Sequence, residues 1–110
     1  MNPTISVVIA TRNRTASLLR LLRQLREQTV PPADVEIVVV DDGSTDPVAP
    51  AVESAEFPFA AHVVRTGGRG PGAARHAGVL RAHGEVVVFV DDDMQVDRGF
   101  LEAHLGHHRP

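Results

Sequence analysis

A chain of 110 residues has the length of one domain, with room for a single core and no second one. Its net charge of −3, from eleven basic and fourteen acidic residues, argues against a polyanion-binding surface and so against a nucleic-acid partner. Without cysteine it has neither disulfides nor thiolate metal sites, and no apolar run approaches the ~18 residues of a membrane span. The apolar fraction of 43% and charged fraction of 23% are those of an ordinary globular protein. The expected location is the cytoplasm, or the cytoplasmic face of a membrane.

Four apolar, β-branched runs alternate with helix-like segments. The first runs from Ile5 to Ala10 and is followed by Leu18, Leu19, Leu21, Leu22 and Leu25. That i, i+3, i+4, i+7 stripe, with Arg20, Arg23, Arg26 and Glu27 opposite, predicts an amphipathic helix. Thr15 or Asn13 is placed to cap it, and Pro31-Pro32 stops it. The second run is Val35 to Val40. Asp46-Pro47 then predicts the start of a short helix over Val48 to Ala55, with Asp46 as the cap. A third run, Ala61 to Arg65, leads into a helix from about Gly72 to His83. The fourth, Val86 to Val90, reads as a strand buried on both faces, and Asp97 is placed to cap a last helix through His108. Strand–helix alternation of this kind predicts βαβ units and a parallel sheet.

In open parallel sheets, ligands bind beyond the carboxyl ends of the strands. Chemistry-bearing residues cluster at those ends here. Asp91-Asp92-Asp93 follows the fourth run, and three adjacent like charges repel unless a positive partner neutralises them. A divalent cation sharing its shell with nucleotide phosphates is the simplest such partner. On an extended chain Asp91 and Asp93 would point to one side and Asp92 to the other. Asp41-Asp42-Gly43-Ser44-Thr45-Asp46 follows the second run; it fits a turn and cap as well as a carboxylate reaching a base or ribose. Thr11-Arg12-Asn13-Arg14 follows the first run, with Thr11 placed to meet the same ligand as Asp42 and Arg14 reading as a solvated loop residue.

Gly67-Gly68-Arg69-Gly70-Pro71-Gly72-Ala73-Ala74-Arg75 follows the third run, where glycines and a helix N-terminus suit a phosphate and Arg75 suits a diphosphate. Within it, Gly68-x-Gly70-x-x-Ala73 also loosely matches the dinucleotide-binding fingerprint, leaving a dinucleotide-binding module as an alternative. His104, His107 and His108 fall at helical spacing and read as a solvated face, and His76 and His83 as surface or packing residues on the third helix.

Taken in order, Ser6 to Arg14, Ile37 to Asp46, Gly72 to Gly78 and Gly84 to Asp93 resemble the N-terminal half of a family 2 glycosyltransferase. The resemblance implies an α/β, GT-A-type fold: a Rossmann-like parallel sheet of about four strands flanked by helices, incomplete relative to a whole enzyme. It implies a nucleotide-sugar donor, UDP-linked, held by Thr11, Arg12, Asp41, Asp42, Arg75, Asp91 and Asp92. Thr11 and Asp42 would take the base, with Asp41 alongside, and Arg75 the ribose or diphosphate. Asp91 and Asp93 would match the family's Asp-x-Asp motif, with Asp91 on the ribose and Asp93 as the leading ligand of Mg²⁺ or Mn²⁺. His76 stands where the family usually has Asn.

Transfer to a saccharide or lipid acceptor is the implied reaction. The family's acceptor-binding half and catalytic base lie further C-terminal than Pro110, so residues 1–110 are expected to form only the nucleotide-sugar-binding part. The missing half, or a membrane-associated partner, would complete it. Asp97 and Glu102 are explained by capping and a solvated helix, which leaves no residue to name as base. A non-catalytic nucleoside-diphosphate binder is the other reading.

Overall fold

A computed structural model of the chain describes residues 3–108. Four parallel strands form one sheet: β1 (Ile5–Thr11), β2 (Val35–Asp42), β3 (Ala60–Thr66) and β4 (Val86–Phe89), in the spatial order β3-β2-β1-β4. Helices α1 (Thr15–Arg26), α2 (Ala49–Ser54), α3 (Pro71–Arg81) and α4 (Phe100–His108) fill the connections. The chain steps outward from β1 to β2 to β3, then crosses back to lay β4 on the far side of β1. That reversal puts a topological switch point between β1 and β4, where such sheets open a crevice.

Alternation along each strand divides the core into two layers. Ile5, Val7, Ile9, Val35, Ile37, Val39 and Val88 pack against Leu18, Leu21, Leu22 and Leu25 of α1, Val52 of α2, and Leu101 and Leu105 of α4. Val8, Val38 and Val40 face the other way, onto Ala74 of α3. This second layer is thin because α3 approaches closely. A Cβ on Gly78 would overlap Val8 Cγ1 and lie 3.1 Å from Val40 Cγ2.

The structure corrects several local expectations. Neither Thr15 nor Asn13 caps α1: Arg14 holds the N-cap position and makes no capping side-chain bond, while Asn13 adopts a left-handed φ of 55°. Asp46 does not cap α2. The helix starts later, with Val48 as its N-cap and Pro50 in the first turn, and the Val48 amide is taken by the Asp41 carboxylate at 3.1 Å. The fourth strand is not buried on both faces, because β4 lies at the edge of the sheet and α3 covers the inner strands. Val86 and Val87 are therefore half-buried and Phe89 is 49% exposed. Asp97 does serve the start of α4, accepting the Gly99 amide at 3.0 Å.

At the amino edge of the sheet a buried carboxylate organises the return into β4. Glu36, 3% exposed, accepts the Ser6 hydroxyl, the His83 amide and His83 Nδ1, each at 2.8 Å, and lies 3.3 Å from His62 Nε2. The Ser6 oxygen in turn accepts the Gly84 amide. His83 thus lies just past the end of α3 and has a structural partner. Burial pushes the Glu36 carboxyl up, but the hydrogen bonds from His83 and Ser6 outweigh it and leave its pKa below the ordinary 4.5. The stabilisation from Glu36 is complete above the ordinary value and is lost as pH falls through the lowered native one.

Two measurements check this packing. Gly78→Ala should lower stability by about 1–3 kcal/mol, read from denaturant unfolding, because the α3 layer has no space for a methyl group. Glu36→Gln should cost about 1–3 kcal/mol at neutral pH and flatten the acid limb of a stability–pH profile below 4.5.

Candidate functional site

At the carboxyl edge the strand register brings together residues that are far apart in sequence. Thr11 pairs with Asp41, Asp41 with Arg65, and Asp42 with Thr66. The β1–β4 pairing of Val8 with Phe89, continued along the chains, sets Thr11 beside Asp92. Alternation then sends the two adjacent aspartates of β2 to opposite faces.

Asp41 faces α2. It is buried, and its carboxylate accepts the Ser44 and Val48 amides and Arg65 Nη1 at 3.0–3.1 Å. Arg65 also donates to the Ser44 carbonyl at 2.7 Å. Burial pushes Asp41 up, yet the Ser44 bonds, the Val48 amide and the Arg65 charge bring it below the ordinary 3.8. Asp42 faces α3. One of its oxygens accepts the Thr66 hydroxyl at 2.6 Å and the Gly68 and Arg69 amides at 3.0 Å, and the other accepts the Gly70 amide at 2.9 Å. The Thr66 hydroxyl foremost, with these amides, holds Asp42 below 3.8 against a smaller effect of burial.

The glycine-rich loop is therefore wrapped around a carboxylate of its own chain. Gly68 and Gly70 have φ of 75° and 98°, and these left-handed turns aim consecutive amides at Asp42. The sequence suggested that they would cradle a phosphate or a dinucleotide pyrophosphate; instead they are satisfied internally. Further bonds tie the β1–α1 loop to the β2–α2 loop, with the Asn13 amide donating to Ser44 Oγ and the Thr45 amide to Asn13 Oδ1, both at 2.9 Å.

These loops wall a cleft of about 420 Å³ at the switch point, within the size range of small-molecule sites. Thr11, Arg12, Arg14, Asp42, Arg75, Asp91, Asp92 and Asp93 all line it. Of the residues that the family resemblance assigned to donor or metal, Asp41 alone does not, since its carboxylate is committed to the α2 start and Arg65. Arg12 lies over the glycine loop, its guanidinium 3.7 Å from where a Gly68 Cβ would be.

The acidic triplet leaves the strand in a turn, closed by the Met94 amide on the Asp91 carbonyl at 3.0 Å. Its three side chains differ in environment, although all of them line the cleft. Asp92 is 10% exposed and accepts the Thr11 hydroxyl at 2.9 Å, whereas the side chains of Asp91 and Asp93 are 67% and 62% exposed. Each exposed carboxylate has a cationic neighbour: Arg75 Nη2 lies 3.6 Å from Asp91, and Arg14 Nη1 lies 3.5 Å from Asp93 and 3.4 Å from Asp92. Arg14, read in the sequence as a solvated loop residue, thus belongs to the cleft wall.

No group of three or more His, Cys, Asp or Glu side chains among the described residues is arranged to hold a metal ion. Of the terminal histidines, His104 packs edge-on against Phe100, with ring centroids 4.7 Å apart; the side chains of His107 and His108 lie outside the described residues. No described helix is long and apolar enough to cross a membrane.

The fold is a four-stranded parallel α/β sheet flanked by helices, with a cleft at its switch point, and comparison with known proteins assigns its family. The model of glycosyl transferase family 2 matches residues 6–109, and the chain belongs to that family. It is 37% identical over 108 residues to the pre-mycofactocin glycosyltransferase of Mycobacterium tuberculosis, which covers 94% of this chain and 20% of that protein. It is 35% identical over 99 residues to the poly(ribitol-phosphate) beta-N-acetylglucosaminyltransferase TarS of Staphylococcus aureus, covering 88% of this chain and 17% of that one. The crystal structure of TarS 1–349 in complex with UDP-GlcNAc superposes with a TM-score of 0.84 at 33% identity, over 96% of this chain and 30% of that one. The mannosyltransferase PcManGT of Pyrobaculum calidifontis, in complex with GDP-Man and Mn²⁺, gives 0.82 at 30% identity, over 92% and 31%. The chain thus spans a third or less of the length of these relatives, resembling the N-terminal part of longer enzymes.

Asp42→Asn should release the glycine loop, because an amide NH₂ would replace one acceptor oxygen facing the loop's donors. Hydrogen exchange at Gly68, Arg69 and Gly70 should accelerate roughly tenfold or more, with the helices of the α1 layer unaffected.

Proposed function

We propose that residues 1–110 form the nucleotide-sugar-binding part of a larger GT-A glycosyltransferase whose acceptor-binding half lies outside this chain. One observation carries the reading: Thr11, Asp42 and the Asp91–Asp93 triplet, at the ends of β1, β2 and β4, line a single cleft with Arg75 of α3. The complexes of TarS with UDP-GlcNAc and of PcManGT with GDP-Man and Mn²⁺ support a nucleotide-linked sugar as donor. We take UDP as the first nucleotide to test, and a saccharide or lipid as the acceptor class. The proposal keeps the domain in the cytoplasm or at its membrane face.

The residues fit a hard divalent cation. Asp91 and Asp93 offer exposed carboxylate oxygens on the cleft, and the described residues supply no complete protein cage. Mg²⁺ and Mn²⁺ suit such a partial set, taking one or two carboxylates and completing the shell with phosphate oxygens and water. When bound, the cation supplies Lewis acidity that offsets the charge gathering on the departing nucleoside diphosphate. The chain's own groups then have separable tasks. Thr11, fixed through Asp92, shapes the floor. Asp42 keeps the glycine loop closed over one side, where its remaining acceptor capacity faces the base. Arg75, on the first turns of α3, directs positive charge at the diphosphate.

Calorimetry with UDP, GDP and NAD, each with and without Mn²⁺, tests the reading. Binding of UDP or GDP should require the cation and weaken roughly tenfold or more in Asp93→Ala, as expected for loss of a coordinating carboxylate. NAD binding that is independent of metal and survives Asp93→Ala would favour a dinucleotide module instead. Metal-dependent UDP affinity with no hydrolysis of a UDP-sugar by the longer protein would mark a non-catalytic binder.

A further inference from the structure

We infer that Arg14 is a built-in counter-cation for the acidic triplet, which competes with the divalent cation for Asp93 and so keeps metal affinity low until the donor diphosphate arrives. The inference rests on the proposed donor site and adds a positioning residue to it.

The first argument is where Arg14 stands. It holds the N-cap position of α1, its carbonyl accepting the Leu18 amide at 3.0 Å. Ser, Thr, Asp and Asn are favoured there, and positive charge is disfavoured by the helix dipole. Arg14 makes no capping bond, so its side chain does not serve the helix it starts. The guanidinium reaches instead across 78 and 79 residues of sequence to Asp92 and Asp93, sharing Nη1 between them at 3.4 and 3.5 Å. A position that goes against the local preference of its helix, and whose side chain meets a charged site, is the pattern of a residue retained for that site.

The second argument is the strength of the contact. The Arg14 side chain is 56% exposed and that of Asp93 62% exposed, and both distances are long for a charge-assisted bond. Exposed pairs of this kind are weak and screened by salt. A displaceable counter-ion needs that weakness. Asp92 differs: it is nearly buried and anchored by the Thr11 hydroxyl, so Arg14 can give up Asp93 while keeping Asp92 as a pivot. Once it has left Asp93, the guanidinium lies in the cleft wall where a diphosphate would gather negative charge. Arg14 therefore opposes the cation in the empty site and favours the cation–diphosphate pair in the filled one.

The test is Mn²⁺ affinity, followed by calorimetry or by the electron paramagnetic resonance of free Mn²⁺, at low salt and without nucleotide. Arg14→Gln should bind Mn²⁺ about three- to fivefold more tightly than the parent protein, the gain converging to nothing above roughly 0.5 M NaCl. Arg14→Lys, which keeps the charge, should stay close to the parent. With saturating UDP the advantage of Arg14→Gln should vanish or reverse. Arg14→Met, which keeps most of the stem packing, gives the same reading if the Gln variant unfolds. Equal or weaker Mn²⁺ binding by the neutral variants, with Asp93→Asn abolishing it, overturns the role of Arg14 alone. Mn²⁺ binding indifferent to Asp93→Asn overturns the donor-site reading beneath it.

Discussion

The Asp42 carboxylate is the contact on which the shape of the site depends. A buried anion costs free energy unless donors surround it, and a run of left-handed glycines leaves amides in need of acceptors. Each requirement answers the other. Because Thr66, Gly68, Arg69 and Gly70 all donate to this one side chain, the segment between β3 and α3 is drawn against the end of β2. That placement fixes where α3 begins, and with it the position of Arg75. The glycines provide the curvature and the aspartate supplies the charge that holds it.

The other wall is governed by charge balance. Three consecutive aspartates are tolerated because the chain neutralises them unequally: the middle one is sunk against Thr11 and Arg14, and the outer two face the cleft with loosely held arginines. A tightly matched set of ion pairs would be more stable and less useful, since a ligand would have to break it. Weak internal pairing leaves the two outer carboxylates exposed at the cleft.

Much of this was legible in the sequence. The leucine stripe and the β-branched runs specify α1 and the four strands, because burial of periodic apolar positions dominates the energetics of those segments. That the cleft lies at the carboxyl edge follows from the alternation, whereas its place between β1 and β4 follows from the strand order. What the sequence could not show was which polar groups satisfy one another. Asp46 was the natural cap for α2, but Asp41 takes that amide because the β2 register delivers it there with its charge already paired to Arg65. The glycine loop looked like a phosphate cradle, since a run of amides has the same appearance whether its anion is a ligand or a side chain 26 to 28 residues earlier. Arg14 looked solvated because its partners lie some 80 positions away. One signal was available: Arg65 and Thr66 stand opposite Asp41 and Asp42 once parallel register is assumed.

The bonds that lace Asn13 to Ser44 and Thr45, Arg65 to Ser44, and Asp42 to the glycine loop bear on how such a domain can change over time. The Asn13 bonds tie the β1–α1 loop to the β2–α2 loop, and the Asp42 bonds tie the glycine loop to the end of β2. A substitution in one of these segments is therefore felt by the segment bonded to it. A chimera built by exchanging one loop alone would lose bond partners on both sides of the seam. Exchanging all three together would carry the pocket onto another sheet intact.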